Sequence, residues 1–150
     1  MTTRTPDRTA VAARLAVAVG RINRRARTGT QSLSYGIVSA LSAVVRLGPL
    51  RPGDLARHEV VTKPTMTRVL TELEQRGFIE REPDPTDGRA FMVSATAAGV
   101  DAVEEARSER TGIIAELLAD LDQADVDTIA DALDALERVA QVRDQGTPGS

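Results

Sequence analysis

The stretch from Leu50 to Ser94 constrains this chain most. Two short helical patterns meet there at a tight turn, and a hairpin pattern follows. The second helical pattern, VTKPTMTRVLTELEQRGF, carries small hydroxyls and an arginine on its first turns and an apolar stripe behind them. At roughly 100° per residue, Met66, Val69, Leu70 and Leu73 fall within about a quarter turn. Pro64, Arg68, Thr71 and Gln75 take the opposite side, with Thr65 and Thr67 beside them. Thr62 is expected to cap this helix through its side-chain oxygen. Lys63 and Pro64 then fill the first turn, where a missing N–H costs nothing. Gly77 is expected to end the helix in the left-handed conformation, with Phe78 packed back on the last turn. Ile79 to Glu82 and Ala90 to Ser94 are expected to be strands, joined by the turn-rich loop PDPTDGR.

The chemistry of this segment lies in what it exposes. Threonine can reach base edges or phosphates, its methyl can touch a thymine methyl, and arginine can chelate guanine O6 and N7. The helix start offers free N–H groups to a phosphate, and Lys63 adds charge there. Arg89, on the hairpin loop, stands where a minor groove would concentrate negative potential. Asp87 is expected to hold its guanidinium. Taken singly, these are an ordinary threonine-rich helix surface and an exposed ion pair worth under ~1 kcal/mol. In this order along one chain they point to duplex DNA.

The flanks are helical. From about Asp7 to Arg27 the positions Val11, Leu15, Ala18, Val19, Ile22 and Ala26 form one stripe, ended by Thr28-Gly29-Thr30. Leu33 to Leu47 follows, with Ile37, Leu41, Val44 and Val45 inward, Ser32 or Ser34 as cap and Gly48-Pro49 as stop. Pro52 to His58 is a short helix with Asp54 at its positive end and Leu55 and Ala56 inward. Thr96 is expected to cap a long helix to about Leu121, striped by Val100, Val103, Ile114, Leu117 and Leu121. Asp122 is expected to cap the last helix. Its Val126, Ile129, Leu133, Leu136 and Ala140 are spaced three, four, three, four, as in an a/d seam. Residues 1–6 and Gln145 to Ser150 are expected to be disordered.

Composition removes other classes. The 150 residues fit one domain with helical extensions. The aromatics are Tyr35, Phe78 and Phe91, so the core must be aliphatic. There is no cysteine and only one histidine, His58, which excludes disulfides and thiolate sites and argues against a histidine metal site. Neither a metal nor a cofactor is expected. No nucleophile–base pair or phosphate loop suggests an enzyme. No apolar run approaches the ~20 residues of a membrane span, and the N-terminal apolar patch precedes its arginines, the reverse of a secretory signal. A cytoplasmic protein without membrane contact is expected. The net charge of −3 is unevenly spread. Residues 1–30 carry seven Arg and one Asp, residues 31–94 carry eight basic and eight acidic groups, and residues 95–150 carry four basic and thirteen acidic groups. Such asymmetry describes either solvated helix faces or basic and acidic ends that lie close together, within a chain or across a dimer.

PxxLARHEVVTKPTMTRVLTELEQRGFIEREPDPTDGRAFMVSATAAG resembles the MarR family of bacterial transcription regulators, most specifically in TMTRVLTELEQRGFIERE, in the DPTDGR wing and in the T-x-x-G of Thr96 to Gly99. The resemblance implies a mostly α fold: a winged helix-turn-helix, three helices plus a two-stranded β-wing, over residues 32–94, flanked by dimerisation helices over 7–31 and 95–145. It implies a homodimer on a pseudo-palindromic operator, acting as a repressor and in many relatives released by a small ligand. By the motif match, Thr65, Thr67 and Arg68 become recognition-helix contacts and Asp87 and Arg89 the wing pair. Thr62, Lys63, Pro64 and Thr71 join the recognition surface by position. Arg51 stands where a Thr or Ser commonly caps the third helix, and could meet a phosphate. No effector residues are assigned. Tyr35 could line an effector pocket, which the scarcity of aromatics would make aliphatic, or serve as filler. His58 could sense pH or be a partly exposed polar residue. Arg21, Arg24 and Arg25 could meet acidic effectors, phosphates or the acidic C-terminal helix of a partner. The competing class is a winged helix that binds protein instead of DNA, which the acidic net charge would suit.

Overall fold

The structure, a computed structural model, describes residues 6–27 and 33–141. The expected stop at Thr28-Gly29-Thr30, the alternative cap Ser32, most of the termini expected to be disordered, and the segment ends at residues 31 and 145 lie outside the described residues. The elements run α1 (Arg8–Arg27), α2 (Tyr35–Leu47), α3 (Pro52–His58), α4 (Lys63–Gln75), β1 (Ile79–Pro83), β2 (Phe91–Ala95), α5 (Ala97–Ala119) and α6 (Gln123–Gln141). The chain divides within α5 into two compact units, one ending at Ile113 and one beginning at Ile114.

The first unit contains the core. Leu41, Val44, Leu55, Met66, Leu73 and Val93 are its largest fully buried side chains, drawn from α2, α3, α4 and β2. The stripes read from sequence supply most of it, and Ala40 and Ala43 of α2 add small contacts that let α2 sit close to its neighbours. The hairpin is antiparallel, with Ile79 opposite Ala95 and Arg81 opposite Val93. Leu50 pairs with Val93 from outside the hairpin, through Leu50 N to Val93 O at 3.0 Å and Val93 N to Leu50 O at 2.8 Å. The wing is thereby tied to the segment that leads into α3.

Helix ends follow their caps. The Thr62 hydroxyl accepts from Thr65 N at 3.3 Å, Thr96 from Gly99 N at 3.1 Å, and Asp122 from Asp125 N at 2.9 Å. Ser34 stands at the start of α2 without a side-chain cap bond. After α4, Gly77 takes φ 74°. Gly77 N then bonds Glu74 O and Phe78 N bonds Leu73 O, both at 2.9 Å, closing the helix in a Schellman motif.

One stripe turned differently from the sequence expectation. The buried face at the start of α5 is Gly99, Ala102 and Val103, while Val100 is exposed. The reason is close approach. A Cβ at residue 99 would lie 2.1 Å from the Phe78 carbonyl oxygen. Only glycine permits that contact, and Thr96 reinforces it by donating to Gly77 O at 2.6 Å.

Two helices keep their stripes uncovered. On α1, Val11, Val19 and Ile22 are exposed, and among its described side chains only Ala26 is buried. Described by itself, α6 buries no residue, and Ile129, Leu133 and Leu136 of its seam are exposed.

Candidate nucleic-acid interface

The α3–turn–α4 segment and the wing present the side chains that could meet a nucleic acid. α4 buries Met66, Leu70 and Leu73, which turns Arg68, Thr71 and Gln75 outward. With Thr67, Glu72 and Arg76 they line a shallow open groove along the helix. Thr62, Lys63 and Pro64 are exposed at its start, and Thr65 is half-buried.

Charge pairing sorts this surface. Residues 33–94 contain eight arginines and lysines. Arg51, Arg57, Arg76 and Arg81 are held by Asp84, Asp54, Glu72 and Glu74. Arg81 also lies over the Phe91 ring, 4.5 Å from its centroid. Arg46 faces the His58 ring at 3.3 Å. Among the described residues, Lys63, Arg68 and Arg89 are left with no carboxylate partner. These three stand at the start of α4, on its outer face and on the wing. An uncompensated cation gains most from a phosphate or a base edge, because no intramolecular pair must be broken first.

The wing is built differently from the sequence expectation. Asp87 does not hold the Arg89 guanidinium. Its Oδ1 accepts from the Arg89 backbone N–H at 3.0 Å, and its carbonyl accepts from Ala90 N at 2.9 Å. A short carboxylate bonding the backbone two residues on is an Asx turn, favoured in this Gly-containing loop. Asp87 therefore shapes the tip and leaves the Arg89 side chain unengaged.

The carboxylate that does hold a guanidinium is Asp84, which sequence reasoning missed. Arg51 Nε lies 2.5 Å from Asp84 Oδ2, and Arg51 Nη2 donates to Thr86 Oγ1 at 2.7 Å. Asp84 Oδ1 accepts from the Thr86 N–H and hydroxyl, both at 2.8 Å. The Arg51 hydrogen bond, then the two from Thr86, hold the Asp84 carboxyl well below the usual carboxylate range. The Asp84 hydrogen bond likewise raises Arg51. Arg51 indeed leaves α3 without a side-chain cap. It clamps the base of the wing instead, across 33 residues of sequence. About half of its side chain remains exposed beside that bond.

The other candidates separate. Tyr35 is exposed, and the Arg110 guanidinium lies 5.5 Å from its ring centroid. It borders a cavity of about 290 Å³ that also reaches Ser39, Arg46, His58 and Arg110. That lining is mixed, with Val38 and Ala43 beside the serines and with Glu59 beside the two arginines, where an aliphatic one was expected. His58 is occupied by Arg46 and by Glu59, whose carboxylate is 3.1 Å away.

The fold and this surface define a winged helix-turn-helix protein. The MarR family model matches residues 33–91. An HTH-type transcriptional regulator of Mycobacterium bovis is 38% identical over 128 residues, 84% of this chain and 90% of the relative. A transcriptional regulator protein from Pseudomonas aeruginosa superposes with a TM-score of 0.75 at 28% identity, over 91% of this chain and 99% of its own. A MarR mutant from E. coli shares the fold with a TM-score of 0.74 at 19% identity, over 89% and 98%. The chain belongs to the MarR family and is a DNA-binding transcriptional regulator.

Proposed function

We propose that this regulator is a repressor that binds a pseudo-palindromic operator as a homodimer in the cytoplasm and performs no catalysis. The observation that carries the reading is the set of unpaired cations, Lys63, Arg68 and Arg89, on α4 and the wing. In this reading, residues 32–94 are the DNA-binding domain, and residues 7–31 and 95–145 are the dimerisation helices. The exposed stripes of α1 and α6 support the dimer, since such stripes seldom stay open in a monomer.

The recognition surface is Thr62, Lys63, Pro64, Thr65, Thr67, Arg68 and Thr71. α4 enters the major groove, Arg68 reads a guanine, and Thr62 with Lys63 receives a phosphate at the helix start. Arg89 enters the minor groove from a tip shaped by Asp87. Arg51 holds the wing base through Asp84, and its exposed part can still lie near a phosphate. The cavity at Tyr35 is the candidate place for a small effector. Its lining joins the cations of Arg46 and Arg110 to the carboxylate of Glu59.

Footprinting of duplex DNA upstream of the gene tests the reading. A protected inverted repeat is expected, with half-sites about one helical turn apart, ~34–36 Å. Equal affinity for that region and for random duplex at ~150 mM salt would overturn it in favour of a protein-binding module.

A further inference from the structure

We propose that Thr67 and Thr71 select A·T base pairs through their methyl groups, because their hydroxyl protons are already spent inside the helix. The proposal rests on α4 lying in the major groove and goes beyond it by assigning what these residues read.

Thr67 Oγ1 donates to Lys63 O at 3.0 Å, and Thr71 Oγ1 donates to Thr67 O at 2.8 Å. Both residues are exposed. A threonine hydroxyl has one proton and two lone pairs. With the proton committed to the backbone, each hydroxyl can only accept. Phosphate oxygens, guanine O6 and N7, and thymine O4 are acceptors and cannot bond to it. The oxygens are turned back on the helix, so the methyls are the outer groups.

The major-groove edge that matches an outward methyl is A·T. It alone carries a thymine methyl, beside thymine O4, whereas G·C has only a hydrogen at cytosine C5; both pairs offer an amino donor to the hydroxyl lone pair, so the methyl makes the choice. Four residues separate the two threonines, about 6 Å along the helix and about 40° around it. That is close to two base-pair steps of ~3.4 Å. Arg68, adjacent in sequence and unpaired, is left to take a guanine between or beside them.

The first two threonines of the helix behave differently. Thr62 Oγ1 and Thr65 Oγ1 lie 2.9 Å apart, and Thr62 Oγ1 also accepts the Thr65 N–H. Two hydroxyl protons serve one bond there, so one proton stays available for a phosphate. One helix thus divides its threonines between backbone contact and base reading.

The experiment starts with selection of binding sites from a random duplex library. Each thymine of the selected half-site is then replaced by deoxyuridine, which removes only the methyl. Two such replacements, about two steps apart, should each weaken the wild type about fourfold, the worth of one buried methyl group. Thr67→Ser should bind the parent site about fourfold more weakly and become indifferent to deoxyuridine at one of these positions. Thr71→Ser should do the same at the other. Thr67→Val and Thr71→Val keep the methyl and should retain the deoxyuridine sensitivity. An enriched site at which deoxyuridine is neutral, or at which the serine variants stay sensitive, overturns the methyl reading and leaves the regulator reading standing. Selection that enriches no sequence overturns both.

Discussion

The winged-helix segment and α6 are incomplete in opposite ways. The winged helix buries its stripes in a common core and pairs most of its charges, leaving Lys63, Arg68 and Arg89 open. α6 has its start capped by Asp122 and a regular a/d seam, yet buries nothing. The first is finished as a fold and lacks only a polyanion. The second is finished as a helix and lacks a packing surface. Uncovered charge costs little in water, so the winged helix can stand free and wait for DNA. An uncovered apolar seam is costly, about 25 cal/mol per Å² left wet, so α6 requires permanent cover.

That contrast predicts that breaking the seam has the largest effect. Leu133→Asp should convert the dimer to monomer or aggregate, read by light scattering at micromolar concentration. Operator affinity should then fall by about 10²-fold or more, because the second half-site loses its tethered reader. A variant that stays dimeric would move the interface away from α6.

How much of this was legible in the sequence follows the same division. Most of what is local was readable: the caps at Thr62, Thr96 and Asp122, the glycine stop at Gly77, and the stripes of α2 and α4. These depend on neighbours one to four residues away, and the chain writes them as periodicity. Most of what failed depends on distant contacts, the Asp87 turn being a local exception. Arg51 and Asp84 meet because Leu50 pairs with Val93, and nothing in either segment announces that pairing. Asp87 beside Arg89 suggested an ion pair by proximity, while the turn made the backbone N–H the nearer donor. At Gly99 the T-x-x-G motif was visible, but the Phe78 carbonyl that requires it was not. The recognition residues rest on position, and the sequence could not show that the Thr67 and Thr71 protons were already used.

Arg68 and Arg89 sharpen the comparison within the winged helix. If Arg68 reads a guanine, Arg68→Ala should cost ~1–3 kcal/mol and relax preference at one base pair per half-site. Arg89→Ala should weaken all sequences more evenly and flatten the salt slope by about one unit per wing. Asp87→Ala should do so more mildly, through the turn. Affinity measured from 50 to 200 mM salt on specific and random duplex separates these outcomes. An Arg89→Ala protein with unchanged affinity and slope would remove the wing from the interface.

A smaller effect is expected at the helix-turn-helix bend. Val60 has φ 55° and is 88% exposed. A β-branched residue in the left-handed region carries roughly 1–2 kcal/mol of strain, and here no packing offsets it. Glycine takes that conformation freely but gives up more chain entropy on folding. Val60→Gly should therefore stabilise the protein by about 1 kcal/mol or less, measured by urea unfolding, with DNA affinity unchanged. Lost affinity in a stabilised variant would mean that Val60 itself touches the nucleic acid.

The smallest effect at working pH concerns the wing base, where the paired and unpaired halves of the segment meet. The Asp84 carboxyl is held below its ordinary value of ~3.9, chiefly by the Arg51 guanidinium. A carboxyl with a lowered folded-state value contributes stability that is complete above its unfolded value and drains away as pH falls through the folded one. Between pH 6 and 8 this group should therefore leave both stability and wing geometry constant. Below about pH 5 the contribution should decline. Thermal unfolding of the wild type and of Asp84→Asn from pH 7 to pH 3 measures it directly. The wild-type advantage should be flat to about pH 5 and should shrink on further acidification. An advantage that stays constant down to pH 3 would mean that neither Arg51 nor Thr86 favours the ionised form of the Asp84 carboxyl. The wing would then have no ionic tie to α3.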